Sequence, residues 1–268
     1  MGEAGLQLHA SYIGTSVARG CLNEQGTALT AVEVIFRQLP AINSNLHFGS
    51  RLVFDRTGAL FVTVGDRYSQ RDQAQNPANH LGKVIRIRPD GATPADNPKK
   101  EGWAPEIWSI GHRNVQGAAL HPDTGQLWTA EHAARGGDEV NTPKAGLNYG
   151  WPVITYGVDY SGAKIGEGTS KPGMEQPLFY WDPSVAPSGA AFHTGAAWPA
   201  WKNSLFVGAL AGQMLVRLST EGEKVTGEER LLTDIGARIR DVVQGPDGFL
   251  YLLSDDADGK VLRVRPAR

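Results

Sequence analysis

The sequence predicts an all-β chain, and a β-propeller in particular. Its 33 glycines and 16 prolines are spread evenly over 268 residues, as expected of many short strands joined by turns, and no long amphipathic helix is visible. A unit of strand, turn, strand, polar loop and strand recurs, with near copies of its last strand, GKVIRIR and GKVLRVR. Repeats of several strands each are what a propeller requires. A β-sandwich is the alternative, but it leaves the repeat unexplained.

The individual elements follow from turn chemistry. Asp-Arg-Thr-Gly, His-Pro-Asp-Thr-Gly and Gly-Pro-Asp-Gly each separate two apolar runs, which is typical of hairpins. The predicted elements are strands at 11–20 and 31–39, a hairpin at 47–66, a strand at 82–88, a hairpin around the turn 121–125, a strand pair at 188–191 and 203–209, a hairpin at 238–254 and a last strand at 259–264. We expect them to form one propeller domain over residues 1–268.

Composition narrows the class of partner. A hydrophobic content of 41% supports a real core, and a net charge of −2 gives no electrostatic case for nucleic acid or an anionic membrane. The sequence contains no run of 18 apolar residues, so it predicts no membrane span. The single Cys21 cannot form an intrachain disulfide. The first residues lack a basic segment followed by an apolar one, so we predict no signal peptide in this chain.

The open end of the first hairpin pairs a histidine with a carboxylate. Counting back from the turn places His47 opposite Asp66. A carboxylate that holds one ring nitrogen orients the imidazole and makes it more basic, as a general base requires. Two unrelated polar residues at a hairpin end are the alternative.

The second hairpin carries a donor-rich segment, HRNVQ, opposite an acidic one, EHAARGGDEVN. Counting back from its turn places Asn114 opposite Ala133 and Arg113 opposite Ala134. The acidic segment suits a hard cation such as calcium, which takes carboxylate and backbone oxygens, although no EF-hand spacing is present. The histidines show no zinc spacing. A solvated loop rim is the alternative here.

The third hairpin carries two arginines at its open end. Arg238 and Arg240 alternate on one face of a strand, close to Asp255, and such a pair can grip planar carboxylates. Surface salt bridging is the alternative. In a propeller, however, the three open ends converge on one mouth of the central channel, and this convergence favours a functional site.

In combination, the motifs HFGSRLVF, GHRNVQG, EHAARGGDEVN, NYGWP and RIRDV resemble those of the soluble pyrroloquinoline quinone (PQQ)-dependent aldose sugar dehydrogenases, relatives of soluble quinoprotein glucose dehydrogenase. The resemblance runs from about residue 30 to the end. It implies a six-bladed propeller that binds PQQ with calcium, oxidises the C1 hydroxyl of aldoses to lactones and passes electrons to dyes or quinones. It also implies a periplasmic or secreted location.

The resemblance assigns roles to the residues of the three open ends. It makes His47 the base, Asp66 the group that orients it and Arg113 the cation that stabilises negative charge on the cofactor. It assigns cofactor binding to a second set of residues, namely Asn114, Arg238, Arg240 and Ser184. It assigns calcium binding to the carbonyl groups of Ala133 and Ala134, together with Asp138.

Three departures from the family accompany these assignments. The calcium-binding pair is usually Gly-Pro in the family and is Ala133-Ala134 here. Ala211 stands where the family generally carries a lysine that contacts PQQ. The chain also opens in what reads as mid-domain material, so the resemblance implies that the family's first blade has no counterpart. Two rival functions are a calcium-dependent propeller lactonase and a degenerate propeller that only binds partners.

Overall fold

The computed structural model describes residues 13–266, which fold into 17 strands and two short 3-10 turns. The strands are β1 (Ser16–Leu22), β2 (Leu29–Arg37), β3 (Gly49–Phe54), β4 (Leu60–Val64), β5 (Lys83–Ile87), β6 (Ile107–Ile110), β7 (Val115–Leu120), β8 (Leu127–Glu131), β9 (Asp138–Asn141), β10 (Phe179–Trp181), β11 (Pro187–Phe192), β12 (Leu205–Ala209), β13 (Met214–Glu221), β14 (Lys224–Leu231), β15 (Ile239–Gln244), β16 (Leu250–Ser254) and β17 (Val261–Val264). The 3-10 turns are Arg71–Gln75 and Pro199–Trp201. The predicted all-β class is confirmed.

The strands form antiparallel meanders arranged side by side. In residues 13–266 the sheets are β1-β2, β3 to β6, β7 to β10, β11 to β14 and β15 to β17. The first strand of each larger sheet contacts the first strand of the next, so β3 lies against β7, β7 against β11 and β11 against β15. Strands that meet in this order at the inner edge of successive sheets are the inner strands of propeller blades.

The core lies between neighbouring blades. Trp128 and Val140 of one blade pack with Val207 and Val216 of the next, and Phe206 packs with Leu252 across the following interface. Each blade is therefore apolar on the faces that meet its neighbours, and this packing sets the angle at which the inner strands reach the centre.

A register shift occurs near the start of every inner strand of the four larger sheets. The shifts lie between Gly49 and Leu52, Val115 and Gly117, Pro187 and Ala190, and Ile239 and Asp241. A bulge bends the strand and re-aims the side chains that precede it. All four bulges lie at the end of the sheets from which the predicted site residues project.

Most predicted elements are confirmed, and the differences are local. The hairpins, the repeated strands at 83–87 and 261–264, and the pair β11-β12 are present. The β13-β14 hairpin was not predicted, and β9 occupies part of the segment expected to be a loop. Residues 11 and 12 of the first predicted strand lie outside the described part of the chain. No helix in residues 13–266 is long and apolar enough to cross a membrane.

Candidate active site

A cavity of about 250 Å³ opens beside the first hairpin. Its walls come from that hairpin, from the segments that follow β4 and precede β7, and from the loops after β8 and β9. The residues that matter for its chemistry are His47, Asp66, Arg113, Ala134 and Trp151. The first and second hairpins therefore contribute to one concave site.

His47 and Asp66 form the hydrogen bond that the hairpin register predicts. His47 Nδ1 lies 2.7 Å from Asp66 Oδ1, and only 1% of the Asp66 side chain is exposed. The same oxygen accepts from the Tyr68 amide at 2.8 Å, and Trp151 Nε1 donates to Oδ2 at 2.8 Å. Because the carboxylate accepts, Nδ1 carries the ring proton and Nε2 is left as the basic nitrogen.

Two glycines allow this close pairing. His47 lies in the left-handed region at φ 49°, which is uncommon for a side chain other than glycine, asparagine or aspartate. A Cβ on Gly65 would clash with the His47 carbonyl oxygen, and Gly49 at φ 68° lies against the Thr63 carbonyl. Glycine at these two positions lets the strand ends approach closely enough to bring His47 onto Asp66.

Arg113 joins the first two hairpins. Its carbonyl accepts from the Asp66 amide at 2.8 Å, and its own amide donates to Glu131 Oε2 at 2.9 Å. Its guanidinium donates to the His132 carbonyl at 3.0 Å and lies 5.3 Å from the Trp151 ring. These contacts hold a positive charge at the wall of the cavity that His47 also lines.

The predicted pairing of this hairpin was wrong by one residue at its open end. The bulge after Val115 pairs Val115 with Glu131, so the Asn114 carbonyl accepts from the His132 amide at 3.1 Å and not from Ala133. The Asn114 side-chain oxygen accepts from the Gly49 amide at 3.1 Å. Asn114 therefore links the first two inner strands directly.

His132 presents a buried polar atom to this region. Its Nε2 is buried and has no hydrogen-bond partner among residues 13–266. Burial, followed by the positive charge of Arg113, lowers the pKa of His132 to about 4. The charge of Arg240 acts in the same direction, so two guanidinium groups lower the proton affinity of one neutral imidazole.

The two arginines of the third hairpin share a carboxylate within the protein. Arg238 donates to Asp255 Oδ2 at 2.9 Å, and Arg240 donates to the two Asp255 oxygens at 3.2 and 3.1 Å. Arg240 also reaches Gln116 Oε1 at 2.9 Å, next to the second hairpin. Arg238 instead lines a separate cavity of about 620 Å³. The structure thus brings Arg240 towards the other site residues and turns Arg238 towards a different cavity.

Asp138 and Ser184 brace the segment predicted to bind calcium. Asp138 is fully buried and accepts from the Ala133 amide at 2.9 Å, from the Ser184 hydroxyl, and from the amides of Val185 and Ala186 at 2.9 and 2.8 Å. Burial raises the pKa of Asp138. Within residues 13–266 no three His, Cys, Asp or Glu side chains cluster as a metal site.

Several residues around the cavity were not predicted. They are Tyr68, Ser69, Arg71, Asp72, Asp159, Tyr160 and Ile165. They lie in loops and in a 3-10 turn, where the pairing of hairpin strands does not predict which residues are neighbours. The NYGWP motif was the only sequence feature that marked Trp151.

Comparison with known proteins gives the class and the family of this chain, which is an oxidoreductase that acts on sugars. The chain belongs to the glucose / sorbosone dehydrogenase family, whose model matches residues 6–263. It is 47% identical over 257 residues to the aldose sugar dehydrogenase YliI of Escherichia coli, with 94% of this chain and 69% of that protein covered.

Two solved structures extend the comparison. A glucose dehydrogenase crystal structure matches with a TM-score of 0.94 and 50% identity over 97% of this chain and 76% of that one. The PQQ-bound aldose sugar dehydrogenase of Streptomyces coelicolor matches with a TM-score of 0.78 and 26% identity over 94% of this chain and 72% of that one. The predicted family and the propeller fold are confirmed.

Proposed function

We propose that this chain oxidises aldose sugars at the C1 hydroxyl to the lactone, with PQQ as cofactor and a dye or quinone as electron acceptor. The observation that carries the proposal is the buried His47–Asp66 pair, which lines one cavity with the cation Arg113. The similarity to a dehydrogenase that is PQQ-bound supports the choice of cofactor.

The residues present fit a flat, anionic quinone. Arg113, which donates to the His132 carbonyl, and Arg240 supply positive charge to the region of His132, whose Nε2 is a buried polar atom with no partner in the described chain. Charge-assisted hydrogen bonds are the strong contacts for carboxylates. We therefore assign cofactor binding to Arg113, Asn114 and Arg240, with a weaker contribution from Arg238. Ser184 would act through Asp138, to which its hydroxyl donates.

Calcium is the second proposed cofactor. The carbonyl oxygens of Ala133 and Ala134 would be its protein ligands, since calcium prefers oxygen ligands and tolerates backbone carbonyls. Asp138 would hold the loop through the Ala133 amide. The alanine pair keeps the carbonyl groups of the family's Gly-Pro pair, so the change of side chains does not remove the ligands.

The chain's own residues perform the proton chemistry. PQQ, when bound, would supply the two-electron acceptor for the C1 hydrogen. His47 Nε2 would take the proton of the C1 hydroxyl as the C1–O double bond forms, and Asp66 would stabilise the resulting imidazolium through Nδ1. Arg113 would supply the fixed positive charge that stabilises negative charge on the cofactor.

The test is a PQQ titration with calcium present, followed by glucose and an electron-accepting dye. We expect saturable binding, seen as a change in PQQ absorbance, and dye reduction that requires both PQQ and sugar. A protein that binds no PQQ, or that hydrolyses a lactone and reduces no dye, would refute the proposal. Omission of calcium is the matched control and should weaken PQQ binding.

Two broader expectations accompany this function. We infer that the chain is a single propeller domain, since its inner strands contact one another in sequence, and one cooperative unfolding transition would support this. We also propose a periplasmic or secreted location, as the family resemblance implies.

A further inference from the structure

Trp151 contacts two of the predicted catalytic residues, Asp66 and Arg113. Its indole Nε1 donates to Asp66 Oδ2 at 2.8 Å, and its ring lies 5.3 Å from the Arg113 guanidinium. Only 7% of the residue is exposed, and it lines the active-site cavity. Among residues 13–266 the indole is the donor to Oδ2, whereas Oδ1 accepts from His47 and from the Tyr68 amide.

The position of the Trp151 backbone is itself fixed by a separate set of hydrogen bonds. Gln75 Nε2 donates to the Trp151 carbonyl at 2.7 Å, and the Trp151 amide donates to the Gly111 carbonyl at 3.0 Å. Gln75 and Asn148 exchange two amide hydrogen bonds of 3.1 and 2.7 Å. The ring packs with Ala74, Ala134 and Ile165. Because both the backbone and the ring of Trp151 are held, its indole has little freedom to move away from Asp66.

We propose that Trp151 is a positioning residue that orients the Asp66 carboxylate, and through it the His47 imidazole, towards the substrate. With donors on Oδ1 alone, the carboxylate could still rotate about the Cβ–Cγ bond of Asp66. A third donor, on Oδ2, fixes the plane of the carboxylate. The fixed carboxylate then sets the ring orientation that leaves His47 Nε2 facing the cavity. The consequence for turnover rests on the proposed function, but the consequence for His47 itself does not.

Removal of the indole donor should change the proton affinity of His47 in a definite direction. When His47 is neutral, Asp66 carries an uncompensated buried charge, so this state depends most on the indole hydrogen bond. Loss of the donor destabilises it and favours the protonated imidazole. The other titratable groups around His47 are Tyr68, Arg71, Asp72, Arg113, His132, Asp159 and Tyr160, and the substitutions below leave all of them in place.

The experiment compares Trp151→Phe with Trp108→Phe. Both substitutions remove one indole N–H, but Trp108 donates to the Pro143 carbonyl and lines a different cavity. NMR of cofactor-free protein with labelled histidine, assigned with His47→Gln, follows the titration of the His47 ring. We expect its midpoint to rise by about 0.5 to 1 pH unit in Trp151→Phe and to stay unchanged in Trp108→Phe.

The PQQ-loaded enzyme gives the second readout. In Trp151→Phe we expect kcat to fall roughly 10- to 100-fold, the scale seen when residues that orient catalytic groups are lost, with KM for the sugar unchanged and the acid limb of the pH profile moved upwards. An unchanged His47 midpoint in folded Trp151→Phe would overturn the proposal. A shifted midpoint in a protein that oxidises no sugar would keep it and refute only the proposed function.

A second variant covers the case in which Trp151→Phe does not fold. Gln75→Met keeps the length of Gln75 and adds no charge, but removes the donor to the Trp151 carbonyl. We expect a smaller shift of the His47 midpoint in the same direction, because the indole is displaced and not removed. No shift in this folded variant, with Trp151→Phe unfolded, would also overturn the proposal.

Discussion

The open ends of the first and third hairpins differ in burial although both pair a basic side chain with an aspartate. The Asp66 side chain is 1% exposed and His47 13%, whereas Asp255 is 32% exposed and its partners Arg238 and Arg240 are 45% and 40% exposed. The first pair is also fixed by the Trp151 indole, while the third faces a wide cavity lined by its own acidic residues.

The comparison separates a pair with little access to solvent from a pair that solvent reaches. A buried pair has a fixed geometry and leaves an unsatisfied group if either partner is removed. An exposed pair is screened and is worth little to stability. We therefore propose the first open end for chemistry and Arg240 of the third for binding the cofactor.

The largest expected effect is that of His47→Ala. Turnover of the PQQ-loaded enzyme should fall by roughly 100- to 10,000-fold, the usual contribution of a general base, while the dissociation constant for PQQ stays within a few-fold of the original. Steady-state dye reduction and a PQQ titration measure the two quantities. Turnover that survives this substitution would remove His47 from the mechanism.

Asp66→Asn should be the next most damaging change. The substitution leaves the His47 ring in place and disturbs its orientation, so turnover should fall less than in His47→Ala. It also exchanges an acceptor oxygen for an amide that faces buried donors, which should cost roughly 1–3 kcal/mol of unfolding free energy. Urea denaturation measures this cost. An Asn variant as stable as the parent would mean that the buried donors do not need the second acceptor oxygen.

Arg240→Ala tests the binding role of the third open end. It should weaken PQQ affinity by about 1.5–3 kcal/mol, the scale of a charge-assisted hydrogen bond, with saturated turnover preserved. Arg238→Ala is the matched variant and should cost less, because Arg238 lines the second cavity. If Arg240→Ala leaves PQQ affinity unchanged and lowers turnover, Arg240 serves the reaction and not the binding of the cofactor.

Ala211→Lys should strengthen cofactor binding. Ala211 is exposed in the turn between β12 and β13, and its amide donates to the Val185 carbonyl, beside Ser184. A lysine here restores the cation that the family resemblance expects and should add roughly 1–3 kcal/mol to PQQ binding at similar saturated turnover. Ala211→Met is the uncharged control of similar length. Equal PQQ affinity in the two variants would mean that the side chain at position 211 does not contact PQQ.

Asp255→Asn should have the smallest effect and a distinct pH dependence. Hydrogen bonds from Arg240, then Arg238, hold the pKa of Asp255 below its ordinary value of 3.8. A lowered pKa stabilises the fold above that value and loses this contribution as the pH falls through the folded-state pKa. Because the pair is exposed, the cost at neutral pH should be about 0.5 kcal/mol or less and should vanish in strong acid. A cost equal to that of Asp66→Asn would contradict the comparison.

The sequence was sufficient for features that depend on local pairing. Turn residues set the hairpin registers, so the meeting of His47 with Asp66 and of Arg238 with Asp255 was predictable. The bulge after Val115 was not, because an inserted residue leaves no compositional mark, and it moved the expected partners of Asn114 by one position. The contact between Trp151 and Asp66 joins residues 85 apart in the chain, a distance at which register counting gives no information.

The central claim is that the sugar reacts at the mouth of the first hairpin, with His47 as the base. The most direct measurement is the single-turnover reduction of bound PQQ by glucose without any dye, in the parent chain and in His47→Ala, using ordinary glucose and glucose deuterated at C1. We predict that the parent reduces its cofactor in one phase that deuterium slows, and that His47→Ala binds PQQ but reduces it far more slowly. Reduction at the same rate in both proteins would contradict the account.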